Sequence, residues 1–166
     1  MPITRREVVR SIAVTGAAMV VPGVGLAQAR PLTKPIPSSG EPLPMVGLGS
    51  WITFNVGNDP VARDSCAQVL GAFFGAGGRM IDSSPMYGSA QDVIGYGLKK
   101  NGNSNVFATD KVWIADGHDG PEQIAESRAK WGINRFDLLQ VHNLLAWEPH
   151  LDTLYAMKAA GTLRYV

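Results

Sequence analysis

The sequence predicts an α/β protein built on a parallel sheet, and three observations lead to that class. Short apolar runs recur about 25 to 35 residues apart, the length of one βαβ step. Segments with helix-like starts and stops lie between them. The runs are apolar without alternation, as expected of strands buried on both faces. The length, 166 residues, suits roughly one domain, and a composition that is 45% hydrophobic and 17% charged is that of a globular chain.

The first 29 residues are expected to be a targeting segment and not part of the fold. Arg5-Arg6 precede an apolar stretch from Ser11 to Gly25, and Ala27-Gln28-Ala29 offers a small-residue cleavage pattern. That stretch is interrupted by Gly16, Pro22 and Gly23 and falls short of the roughly 20 residues of a spanning helix. The expectation is a twin-arginine signal over 1–29, a periplasmic or exported protein, and no stable membrane anchor after cleavage. Cys66 is the single cysteine, so no disulfide can form within one chain. Net charge is +1 and no basic run follows the N-terminus, which leaves no electrostatic footprint for nucleic acid. A small molecule or a protein is the expected partner.

Residues 30–44 carry Pro31, Pro35, Pro37, Pro42 and Pro44 around Ser38-Ser39-Gly40, a linker passing into a turn or short hairpin. The apolar runs begin beyond it, at Met45–Leu48, Met80-Ile81, Val106–Ala108, Leu138–Val141 and Leu163–Val166. Asp59-Pro60 marks a helix start, with Cys66, Val69, Leu70 and Phe73 on one apolar face and Gly75-Ala76-Gly77-Gly78 as stop and turn. A shorter helix fits Gln91 to Lys99. Asp119 and Pro121 open another, which reaches Trp131 and stops at Gly132. Pro149 opens the last, with Leu151, Leu154 and Tyr155 on one side and Gly161 at its end. Cys66 is expected in the core, and His118 and His150 in solvated loops. The order is β-α-β-α-β-α-β-α-β, which alone does not separate an open doubly wound sheet from a barrel. A complete (β/α)8 barrel takes about 250 residues, so this chain would provide its first half.

In parallel α/β folds chemistry gathers at the C-terminal ends of the strands. After the first run comes Gly49-Ser50-Trp51, after the second Asp82, after the third Lys111, and after the fourth His142-Asn143; Tyr87 follows in the second loop. A free tyrosine is a poor acid at pH 7, and an adjacent ammonium favours its phenolate form. Asp82 would hold Lys111 in place, and His142 could donate a hydrogen bond to a carbonyl oxygen. Such a set suits reduction of a carbonyl by hydride, or the reverse oxidation.

The stretches GGRMIDSSPMYGSAQDVIG, FATDKVW and DLLQVHN, with the earlier VGLGSW, resemble the strand-end motifs of the aldo-keto reductases. The resemblance covers Pro35 to Val166 and implies a TIM-type (β/α)8 barrel, here its N-terminal part over 45–166, truncated after about the fifth strand. It implies NADPH as cofactor, a small-molecule carbonyl substrate, and a catalytic tetrad of Asp82, Tyr87, Lys111 and His142 with Tyr87 as general acid. Gly49, Ser50, Trp51 and Asp82 become candidate cofactor contacts, and Trp51, Trp113 and Asn143 candidate substrate contacts. Gln91 stands where the family usually has a glutamate. The reading is an aldehyde or ketone reductase. The alternative is a half-barrel without activity of its own, acting as a binding module or requiring a missing C-terminal half.

Overall fold

The computed structural model describes residues 31–102 and 105–166, so the expected signal over 1–29 lies outside the described residues. Strands β1 (Thr33–Pro35) and β2 (Pro42–Pro44) form an antiparallel hairpin in which Lys34 lies opposite Leu43. A second, parallel sheet contains β3 (Leu48–Gly49), β4 (Met80–Asp82), β5 (Phe107–Val112) and β6 (Leu138–Val141). Helices α1 (Pro60–Gly75), α2 (Ala90–Asn101), α3 (Gly120–Trp131) and α4 (Trp147–Ala159) alternate with these strands.

Sheet order is β3-β4-β5-β6, the order of the chain. A doubly wound sheet reverses its strand order at a switch point, whereas successive β/α units laid side by side build the wall of a barrel. The described residues follow the second pattern, which decides the alternative left open by the periodicity of the sequence. Tyr165 extends the wall by one parallel bridge to Leu138.

Local chemistry explains the helices. The Asp59 carboxylate caps α1 by accepting from the Ala62 N–H at 2.8 Å, with Pro60 in the first turn where no amide hydrogen is needed. Gly132, at φ 65°, ends α3 in the left-handed conformation and returns its N–H to the last turn. Helix α2 lies so close to α3 that a Cβ on Gly95 would sit 2.0 Å from the Lys130 carbonyl oxygen. Between helices and sheet, Leu70, Ile81, Ile94, Val112, Trp131, Leu139 and Leu154 form one buried cluster together with Cys66.

Several expectations are corrected. The run Met45–Leu48 is not one strand: β3 begins at Leu48, and Met45 and Val46 are 62% and 71% exposed in the connection that continues the hairpin. The Met45 N–H bonds to the Leu32 carbonyl, on the hairpin side. Leu163–Val166 supplies a single bridge where a fifth strand was expected. Val69 and Tyr155 face solvent, and α4 starts at Trp147 rather than Pro149. His150 is not in a solvated loop. It is fully buried on α4, with Nε2 2.8 Å from the Ile114 carbonyl, an acceptor that fixes Nε2 as the donor.

The hairpin covers the N-terminal ends of the strands. There Glu41 is paired with Arg79 and Arg164 and accepts from the Tyr165 hydroxyl at 2.9 Å, while Arg164 also holds Asp137 at 2.6 Å. Burial alone would raise the Glu41 pKa, but hydrogen bonds from Tyr165 and Arg164 and the charges of both arginines bring it below the ordinary value. The opposite end of the sheet is left for chemistry.

Candidate active site

Strand register sets the site. Gly49 pairs with Asp82 and Asp82 with Thr109, so β3 and β4 end level while β5 runs on past them to Val112. Lys111 and Val112 lie opposite Gln140 and Val141, which brings His142 out of β6 just above Lys111. Period-two alternation then sorts β5. Lys111 faces the Asp82 side chain, and Asp110 faces the helices.

Lys111 Nζ donates to Asp82 Oδ2 at 2.6 Å and to the Ser83 carbonyl at 2.7 Å, with its side chain 10% exposed. Thr109 Oγ1 donates to the other oxygen of Asp82 at 2.6 Å. The ammonium is thereby held in one position, and it lies 5.1 Å from the centre of the Tyr87 ring. A 3₁₀ turn, Pro85–Tyr87, presents that ring: Ser84 caps the turn by accepting from the Met86 N–H, and Pro85 presets its first residue. His142 meets the Tyr87 ring edge-on with centroids 5.6 Å apart, and its Nδ1 is 2.6 Å from Ser84 Oγ. Burial, and next the positive charge of Lys111, hold the His142 pKa below its ordinary value against the opposing pull of Asp82.

Two tryptophans flank this group. Trp51 lies 6.4 Å from Tyr87 and Trp113 lies 6.5 Å from His142, ring centre to ring centre, and both are exposed. Asn143 is exposed at the same end, with its amide towards the Met86 sulfur at 3.9 Å. Gly49 is open, and a Cβ there would meet nothing within 4 Å. Ser50 differs from these. It is buried, and its hydroxyl donates to the Asp82 carbonyl at 2.9 Å and reaches Ser83 Oγ at 3.0 Å, so it ties β3 to β4 from behind.

Sequence reasoning missed the layer beneath. Asp110 is fully buried and its carboxylate accepts from Gln91 Nε2 at 2.9 Å, Trp131 Nε1 at 2.7 Å and the Lys111 N–H at 2.7 Å. Burial pushes its pKa up to about 6 against the lowering effect of those donors. Gln91 also donates to Ser127 Oγ at 2.9 Å, so β5, α2 and α3 meet at one polar knot below Lys111. Ser84, the partner of the His142 imidazole, was not singled out in the sequence. A cavity of about 1010 Å³ lies elsewhere, between the C-terminal ends of α2 and α3 and beside Lys99, Lys130 and Arg135. It contains none of the strand-end residues.

The donor set fits one part of a carbonyl reduction, since it offers a phenol, an ammonium and an imidazole around one open face. None of these groups can supply hydride. Trp51, Trp113 and Gly49 are exposed beside Tyr87 and His142, and they are the groups that a nicotinamide bound at this end would meet.

Comparison with known proteins places this fold in a family. Residues 45–166 match the model of the Aldo/keto reductase family. The chain is 28% identical over 120 residues to a glycerol 2-dehydrogenase (NADP+) of Saccharomyces cerevisiae, covering 71% of this chain and 34% of that protein. It is 34% identical over 114 residues to a probable NAD(P)H-dependent D-xylose reductase of Emericella nidulans, covering 63% and 33%. The chain thus spans about a third of the length of these curated relatives. Among solved structures, an aldo-keto reductase from Klebsiella pneumoniae in complex with NADPH superposes with a TM-score of 0.64 at 21% identity, over 81% of this chain and 49% of that one. A putative aldo-keto reductase from Pseudomonas aeruginosa gives 0.69 at 20% identity, over 84% and 61%.

Proposed function

The chain belongs to the aldo/keto reductase family, and on that premise we propose that it carries the proton-donating half of an NADPH-dependent reduction of an aldehyde or ketone to an alcohol. The observation that carries this reading is the clamped ammonium: Lys111 is fixed by Asp82 and the Ser83 carbonyl and lies 5.1 Å from the Tyr87 ring. A positive charge held there favours the phenolate that Tyr87 becomes once its proton has left. NADPH, when bound, supplies hydride to the carbonyl carbon. Tyr87 gives its hydroxyl proton to the carbonyl oxygen, and His142 orients that oxygen by a hydrogen bond. Trp51 and Trp113 would flank the bound substrate, and Gly49, which carries no side chain, would let the cofactor approach the backbone.

Substitution of Tyr87 by Phe removes the acid without disturbing the ring. Activity of the protein, followed as NADPH consumption with a panel of aldehydes, should fall about 10²–10⁴-fold, with the affinity for NADPH nearly unchanged. An unaltered rate would sink the role of Tyr87. We further propose export by the twin-arginine route to the periplasm, motivated by Arg5-Arg6 and the apolar stretch behind them. A fluorescent reporter fused behind residues 1–29 should reach the periplasm and stay in the cytoplasm when both arginines are lysine; export of the lysine version would refute this.

One observation favours a second reading. Among the described residues the sheet ends in the short β3 on one side and the single Tyr165 bridge on the other, and unpaired strand edges invite further strands. Turnover would then belong to the unit completed by a complementing half. Activity of residues 30–166 by themselves would refute this second reading.

A further inference from the structure

A hydroxyl group offers one proton and two lone pairs. Ser84 is fully buried, and one lone pair is already engaged, because the Met86 N–H donates to its Oγ at 3.2 Å. His142 Nδ1, at 2.6 Å, is the other neighbour of that oxygen. Two arrangements are available. If Nδ1 carried the imidazole proton, Ser84 would accept twice and its own proton would be left unpaired in the interior, the outcome buried hydroxyls avoid. If Ser84 donates to Nδ1, all of its bonds are satisfied.

We propose that Ser84 is a positioning residue that fixes His142 as the neutral imidazole protonated on Nε2. Nε2 lies on the side of the ring away from Ser84, so the N–H available to a substrate oxygen is set by a residue that touches neither substrate nor cofactor. The surroundings favour the same state. The charges facing the ring are Lys111 and Asp82, and the ammonium and burial oppose a second proton more strongly than the carboxylate favours it. Tyr87 on one side and Trp113 on another limit rotation of the ring, so the direction of the Nε2–H is fixed along with its protonation. The arrangement deepens the reductase reading and its kinetic consequence rests on it: a carbonyl oxygen is met by a neutral donor, and the proton it finally keeps comes from Tyr87.

The test is the tautomer itself, read by long-range proton–nitrogen correlation on the full chain labelled with 15N-histidine. The His142 signal is identified by its loss in His142→Gln. At neutral pH the unsubstituted protein should show a bare Nδ1 and a protonated Nε2, and a protonated Nδ1 would overturn the proposal. Ser84→Ala should mix the two tautomers and lower kcat roughly 10- to 100-fold, the loss seen when the outer hydrogen-bond partner of a metal-bound histidine is removed. Ser84→Thr, which keeps the hydroxyl, should restore both. A pure Nε2–H tautomer with full kcat in Ser84→Ala would also overturn the proposal. The spectrum needs no turnover: the expected tautomer in a protein that reduces no carbonyl refutes the reductase reading alone, and turnover with Nδ1–H refutes this inference alone.

Discussion

Asp110 and Lys111 are adjacent on β5, yet their charges serve different faces of the sheet. Lys111 is neutralised by Asp82 at the open end, whereas Asp110 has only neutral donors around its carboxylate, from Gln91, Trp131 and the backbone. That explains the amide at position 91. A glutamate there would remove a donor and place a second buried carboxylate beside the first. Because the folded pKa of Asp110 is raised to about 6 from 3.8, its contribution to stability is fully present below the ordinary value and is lost as pH rises through about 6. Gln91→Glu adds like-charge repulsion to the same side of the balance. The expected loss is roughly 3 kcal/mol at pH 7, shrinking towards pH 5 as one carboxyl takes a proton and becomes a donor. Urea unfolding at the two pH values measures this; an equal loss at both would refute it. Lys111 was legible from its place at a strand end. Asp110 was not, because a charged residue inside an apolar run gives no sign of the face it occupies, and Ser84 was masked by the ordinary appearance of Ser-Pro. His150 did leave a signal, since it stands four residues before Leu154 and both are buried on α4.

At the scale of elements, the strands after the first were readable because burial on both faces leaves apolar runs, and the helices because Asp59, Pro60 and Gly132 mark their ends. Met45 and Val46 defeated the same rule. Apolar residues in a connection look like a strand, and only the pairing of Met45 with Leu32 assigns them to the hairpin side. Close packing was unreadable for a related reason. Gly95 lies inside α2, where alanine would ordinarily gain about 0.5–1 kcal/mol in helix propensity. The Lys130 carbonyl 2.0 Å from the added Cβ reverses that sign, because backbone cannot yield as a side chain can. Gly95→Ala should therefore destabilise by about 2 kcal/mol net, within the usual range for overpacking, and lower the thermal midpoint. A rise in the midpoint would mean that α2 and α3 separate without cost.

For the whole molecule, the candidate site and the closing ion pairs sit at opposite ends of the sheet. Asp82, Tyr87, Lys111 and His142 gather where the strands finish, and Glu41, Arg79, Asp137 and Arg164 gather where they begin. Since the Glu41 pKa is depressed, the stabilisation it gives is present above the ordinary value of 4.5 and is lost as pH falls through the folded value. Glu41→Gln should remove that part of the acid sensitivity while leaving the pH dependence of the active-site groups in place. A variant as acid-sensitive as the unsubstituted protein would show that other carboxylates govern acid unfolding. The alternation of strands and helices was legible in the spacing of its units, and the barrel only in the resemblance of the strand-end motifs. This seal was not, because its members lie far apart in the chain and each alone looks like a surface charge.

The bond between Glu41 and Arg164 joins residues 123 positions apart, and it acts as a clasp in time as well as in space. Closing a loop of that length ahead of the intervening β/α units would add an entropy cost that later closure avoids, so the clasp is expected to form late and to be absent from the transition state. Weakening it should then quicken unfolding and hardly change the rate of folding. On this expectation the end of the sheet opposite the candidate site governs the lifetime of the folded chain more than its speed of formation.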